Sequence, residues 1–190
     1  MLSRHCLYCN TNVFFEFYRQ KLDCRNIEPN IAHVKLAELE KSGKRISIIT
    51  QNIDGLHEKA GSTEIYNIHG TPTVNYCVKC GKKYDANYVF DYDGPIPKCN
   101  DEHCTQHGFV RPDITLYGEN LSNSFNTAIN AVEEADLMII AGTSLTVFPA
   151  ASIISYFNGP LVIINRDSTH ADFSANLVFR ESISDVFSKL

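Results

Sequence analysis

Short apolar runs rich in β-branched residues, each followed by a helical pattern, constrain this chain most. Residues 45–50, 136–141, 161–165 and, more weakly, 176–179 form such runs. They are apolar on both faces, as parallel strands covered by helices on both sides are. Between them, residues 30–41 place Ile31, Val34, Leu36 and Leu39 near helical spacing and stop at Gly43. Residues 122–134 set Phe125, Ala128, Ile129 and Val132 on one face. A third helix is expected from Pro149 to the Asn158-Gly159-Pro160 break, and a fourth, amphipathic one over 183–190. This alternation predicts an α/β fold with a doubly wound parallel, Rossmann-like sheet.

Residues 73–110 interrupt the alternation. Cys77-Val78-Lys79-Cys80 is followed by Cys99 and Cys104, with turn residues between them and no long apolar periodicity. Two close thiol pairs separated by a loop can converge on a tetrahedral Zn²⁺, and a segment poor in core residues gains from a metal. Cys77, Cys80, Cys99 and Cys104 are the expected ligands. His103 and His107 lie close enough in sequence to serve in place of Cys104. With four protein ligands the metal has no open position, so its role is structural. Cys6-Leu7-Tyr8-Cys9 repeats the two-residue gap without a partner pair and reads as free thiols.

The expected organisation is therefore a helical segment over 1–29, helical from 12 to 21 and forming part of a small domain. A Rossmann-like unit follows over 30–72 and 111–190, with the zinc-binding module inserted at 73–110. Apolar residues at 44% and charged residues at 21% fit a globular chain and exclude a disordered one. A net charge of -5 with no basic stripe argues against direct nucleic-acid binding. No apolar run reaches membrane-spanning length, so no membrane partner is expected. The start offers no signal-peptide core, and the expected location is the cytoplasm.

In an open parallel sheet, ligands bind beyond the carboxyl ends of the strands. After the first run stand Gln51, Asn52, Ile53 and Asp54; after the second, Gly142, Thr143 and Ser144; after the third, Asn165. Small residues there let backbone approach a ligand, and the hydroxyls and amides suit phosphate or ribose oxygens. His69, in Ile68-His69-Gly70-Thr71, carries an imidazole able to take a proton near neutral pH.

TQNIDGLHEKAG, IHGT, the two cysteine pairs, RPDITLYGE, AGTSLTVFPA and VIIN occur in this order. Together they resemble the sirtuin family of NAD-dependent protein deacylases, from about Asn30 to the end of the chain. The resemblance implies that NAD is the cofactor and an acyl-lysine protein or peptide the substrate, with nicotinamide and O-acyl-ADP-ribose released. It implies His69 as catalytic base and Gln51, Asn52, Ile53 and Asp54 around the nicotinamide and ribose. It assigns Gly142, Thr143 and Ser144 to the phosphates and adenosine ribose, and Asn165 and Ser182 to the adenosine half. Cys77, Cys80, Cys99 and Cys104 match the structural zinc ligands. Ile114, Thr115, Leu116, Tyr117 and Gly118 match the segment along which the substrate peptide lies as an added strand.

Two features depart from the family pattern. The Gly-Ala-Gly-x-Ser turn and the Phe-Arg loop of the family do not occur in this sequence, so the first strand–helix unit is expected to be missing. The Cys99–Cys104 and Cys104–Arg111 spacings are longer than usual. A non-catalytic sirtuin-like binding module and a protein ADP-ribosyltransferase stand as the alternative functions. The oligomeric state is not legible in the residues.

Overall fold

Elements form where the side chains favour them. The computed structural model describes all residues, Met1–Leu190. In chain order the first elements are α1 (Arg4–Cys9), α2 (Thr11–Leu22), α3 (Ile31–Lys41), β1 (Ile48–Thr50), α4 (Leu56–Ala60) and β2 (Ile65–Asn67). Next come β3 (Gly70–Cys77), β4 (Lys83–Tyr84), α5 (Ala86–Phe90), β5 (Val110–Ile114) and α6 (Asn123–Glu133). Last are β6 (Met138–Ala141), a 3₁₀ helix (Ala150–Tyr156), β7 (Leu161–Ile164), a second 3₁₀ turn (Asp172–Ser174), β8 (Leu177–Phe179) and α7 (Ile183–Phe187). No helix is long and apolar enough to cross a membrane.

The chain divides into two compact units. One comprises residues 1–27, 52–55 and 69–122; the other comprises 28–51, 56–68 and 123–190.

In the first unit, β4, β3 and β5 form an antiparallel sheet in the order β4-β3-β5. This pairing draws residues 69–72 and 111–122 to the cysteine module, although the strand-and-helix alternation had grouped them with the Rossmann-like unit. The register shifts between Thr71 and Asn75, where β3 is bulged. Helix α2 supplies the core that the cysteine segment lacks by itself. Phe14, Phe15 and Tyr18 are fully buried against Cys77, Val89, Cys99 and Val110, and Tyr18 stacks on Phe90 at 5.0 Å. Arg19 fastens the helix by donating from Nε to the Val89 carbonyl (3.0 Å) and from Nη1 to that of Gly94 (2.7 Å).

In the second unit all strand pairs are parallel: β1 with β2, and β6, β7 and β8 in that order. The four expected strands are all present, and the parallel α/β class holds, as two hydrogen-bonded groups. Full burial of every strand does not hold. Central β7 buries Leu161, Ile163 and Ile164, whereas Ile139 on β6 is 46% exposed and Leu177 on β8 is 49% exposed. Both are edge strands of their group, with a neighbour on one side only.

Helix α3 begins as its residues dictate. The Asn30 side chain accepts from the Ala32 and His33 N–H groups, and His33 Nδ1 accepts from the Asn30 N–H, a reciprocal cap. The helix expected from Pro149 is a 3₁₀ helix instead. Ser152 and Ser155 hydroxyls donate three residues back, to Pro149 and Ser152 carbonyls, which favours the tighter winding. The last helix stops at Phe187, short of the expected Leu190.

Candidate functional site

The second unit contains a cleft of about 470 Å³ at the carboxyl ends of β6 and β7. Gly142, Thr143, Ser144, Asn165 and Ser182 all line it. Gly142 follows β6 directly and donates its N–H to the Ile164 carbonyl (3.0 Å), tying the two strand ends together. Its φ of +64 is a conformation that favours glycine, and a Cβ there would also press on Ile183 Cδ1 at 2.5 Å, so glycine lets the backbone take this turn close to a ligand. The Thr143 hydroxyl accepts from the Leu145 N–H (3.2 Å), and Ser144 Oγ lies 2.7 Å from Thr146 Oγ1. Ser182 caps α7, its Oγ accepting from the Asp185 N–H at 3.1 Å.

Asn30 and Glu181 also line this cleft, and neither was expected there. Asn30 carried a legible signal as the cap residue ahead of an apolar helical run. Nothing in the pattern around Glu181 points to a cleft. Asp172, close to the wall, is held below the usual carboxylate range: burial opposes ionisation, but the Thr169 hydroxyl and the Arg180 guanidinium outweigh it.

The other expected residues lie elsewhere. Gln51 ends the β1 segment in the second unit, whereas Asn52, Ile53 and Asp54 belong to the first, where Ile53 packs on the core. His69 is half-buried in the first unit, and its carbonyl accepts from the Thr115 N–H at 2.9 Å. This bond joins His69 to the 114–118 segment. Within that segment Ile114 and Leu116 are buried in the core, while Tyr117 is 71% exposed and Gly118 is open. Both backbone groups of Tyr117 are engaged within the unit, its N–H with the Leu2 carbonyl and its C=O with the Arg4 N–H, each at 3.0 Å. Arg111, nearly fully buried, grips Glu119 with two nitrogens at 2.6 and 3.0 Å, and Glu119 also accepts from the Leu116 N–H. These bonds hold the turn that presents Tyr117.

The four cysteines of the first unit converge. Their sulfurs lie within 4.8 Å of one another, with Cys77 to Cys104 at 3.8 Å and Cys80 to Cys99 at 3.7 Å. Sulfurs bound tetrahedrally at ~2.3 Å from zinc stand about 3.8 Å apart, whereas a disulfide requires about 2.05 Å. The donor set therefore fits Zn²⁺. His103 and His107 are outside the cluster, so Cys104 completes it. Burial opposes ionisation of Cys77, yet the Cys80 and Lys79 N–H groups bring its thiol down to about 7. The Lys82 N–H favours the Cys80 thiolate, but burial and proton sharing with the neighbouring sulfurs push it up to about 12. A bound cation removes this competition and lets all four sulfurs ionise together. The Tyr84 hydroxyl donates to Cys99 Sγ at 3.1 Å and orients that ligand.

Parallel strands ending at a small-residue cleft, together with a separate four-thiolate metal site, define a dinucleotide-binding α/β protein with a structural zinc module. The chain belongs to the Sir2 family, whose model matches residues 1–149. An NAD-dependent protein deacetylase of Clostridium acetobutylicum is 46% identical over 188 residues, covering 98% of this chain and 75% of that protein. One of Clostridium perfringens is 48% identical over 180 residues, covering 93% and 72%. Among solved structures, Sir2Tm bound to a propionylated peptide matches with a TM-score of 0.93 at 34% identity, over 99% of this chain and 81% of that one. A Sir2 complex with a p53 peptide and NAD+ matches with a TM-score of 0.91 at 33% identity, over 100% and 80%.

Proposed function

We propose that this chain is an NAD-dependent protein-lysine deacylase acting on acetyl or related acyl groups. The observation that carries the reading is the cleft in which Gly142, Thr143, Ser144, Asn165 and Ser182 meet. Its floor at Gly142 has a φ of +64 that favours glycine, and its walls offer hydroxyls, an amide and backbone N–H groups. That donor set fits the pyrophosphate and riboses of a dinucleotide. The names of the relatives point the same way.

NAD, when bound, supplies an electrophilic ribose carbon and nicotinamide as its leaving group. The residues of the chain do the rest. Gly142, Thr143 and Ser144 hold the phosphates and adenosine ribose, Asn165 and Ser182 hold the adenosine half, and Gln51, Asn52, Ile53 and Asp54 serve the nicotinamide side. His69 takes a proton from a ribose hydroxyl onto its imidazole nitrogen, the work of a general base. Buried Ile114 and Leu116 fix the backbone of the segment from which Thr115, Tyr117 and Gly118 meet the acyl-lysine. Cys77, Cys80, Cys99 and Cys104 hold Zn²⁺ apart from the chemistry, and their need to stay reduced accords with a cytoplasmic chain.

The test is incubation with NAD and an acetyl-lysine peptide, followed by mass spectrometry. Loss of the acetyl mass from the peptide, with nicotinamide and O-acetyl-ADP-ribose formed in equal amounts, is expected. ADP-ribose added to protein would favour the transferase alternative. Saturable NAD binding without any product would leave a binding module.

A further inference from the structure

One wall of the nucleotide cleft is a loop with no regular structure. Residues 165–168, which follow β7, all line the cavity. A wall of irregular backbone holds its shape only if its polar groups are tied down. Here the tie is Arg180, placed immediately after β8. The Asn165 N–H donates to the Phe179 carbonyl (3.0 Å), which sets the loop beside the end of that strand. Arg180 Nη1 then donates to the Asn165 carbonyl (3.2 Å) and the Asp167 carbonyl (3.0 Å). Its Nη2 pairs with the Asp172 carboxylate. Asp172 is itself anchored by the Thr169 N–H (3.2 Å) and hydroxyl (2.8 Å). The Asn165 side-chain amide closes the ring by donating to the Asp167 carbonyl at 2.9 Å.

We propose that Arg180 is a positioning residue for the cofactor: through the Asn165 and Asp167 carbonyls it sets the loop that meets the dinucleotide. The inference rests on the NAD-binding reading of this cleft. An exposed ion pair by itself would contribute little. What distinguishes Arg180 is that two carbonyls of the cleft wall and one carboxylate converge on a single planar guanidinium, a fork that lysine cannot reproduce. Asp172 orients the guanidinium, and the guanidinium orients the loop.

The test is calorimetric titration of NAD into wild type, Arg180→Ala, Arg180→Lys and Asp172→Asn, with steady-state kinetics alongside. Arg180→Ala should bind NAD about tenfold more weakly, with KM for NAD rising in step and kcat at saturating NAD within about twofold. Arg180→Lys should fall between, because a point charge satisfies only part of the fork. Combining Arg180→Ala with Asp172→Asn should cost less than the sum of the two, since both act through one ring. A loss of kcat and folding stability together, without the KM shift, would reduce Arg180 to a fold-stabilising role and overturn the proposal. So would Arg180→Lys binding NAD as wild type does, a variant that keeps the charge and guards against misfolding of the alanine form. If wild type binds NAD while every variant matches it, the Arg180 inference fails and the cleft reading stands. If wild type itself does not bind NAD, the cleft reading fails and takes the inference with it.

Discussion

Gly70→Ala should destabilise the antiparallel sheet of the first unit at the point where it meets His69. Gly70 pairs with Ile114 across β3 and β5 at φ +78. An added Cβ would fall on the Asp113 carbonyl oxygen, with the Asp113 carbonyl carbon and Ile114 Cα each at 3.0 Å. These obstacles are backbone and cannot rotate aside. The left-handed conformation alone costs a non-glycine residue about 1–2 kcal/mol. Forcing the strands apart adds about 1–3 kcal/mol of overpacking, for a total of about 2–5 kcal/mol. In a chain of this size each kcal/mol lowers Tm by about 2–4 °C, so a fall of roughly 10 °C is expected. Circular dichroism of the zinc-loaded protein reads that shift. Hydrogen exchange adds a local reading: the Thr115 amide, bonded to the His69 carbonyl at 2.9 Å, should lose protection. A Tm within about 2 °C of wild type, with the Thr115 amide still protected, would refute the reasoning.

Other consequences follow from the same geometry. His69→Ala should abolish deacylation while leaving the melting curve unchanged; a retained rate would remove His69 from the chemistry. The purified protein should carry one zinc per chain by metal analysis, and Cys99→Ser should lose it and expose the first unit to proteolysis. Glu119 should lend acid-sensitive stability. Burial opposes its ionisation, but Arg111 and the Leu116 N–H hold its folded pKa below the usual value. Its contribution is thus complete above the unfolded carboxyl pKa of about 4.3 and lost as pH falls through the lower folded value. The Tm gap between wild type and Glu119→Gln should therefore narrow from pH 7 to pH 3, and a constant gap would contradict this assignment.

The parallel strands were legible because runs such as Leu161-Val162-Ile163-Ile164 suit only a buried ladder. The loops after β6 and β7 were legible by the rule that ligands gather at strand ends: Gly142, Thr143, Ser144 and Asn165 share one cleft. Ser182, which only the resemblance pointed to, joins them there, whereas Gln51, Asn52, Ile53 and Asp54 do not line it. The antiparallel sheet was not legible. In β3, Gly70, Pro72 and the bulge before Asn75 erase the alternation, and in β5 Pro112 reads as a breaker. Pro112 is tolerated because β5 is the edge strand of its sheet. β2 is only three residues long, too short for any periodicity. Arg180 escaped notice because its role lies in two backbone carbonyls distant in sequence, a partnership no local pattern records.

Calorimetric titration of NAD into the zinc-loaded wild type and into Asn165→Ala weighs the nucleotide assignment without intermediaries. Saturable one-to-one binding by wild type, weakened at least tenfold by Asn165→Ala with the melting curve preserved, is the predicted result. No heat from wild type at millimolar NAD, or equal affinity in the two proteins, would contradict it.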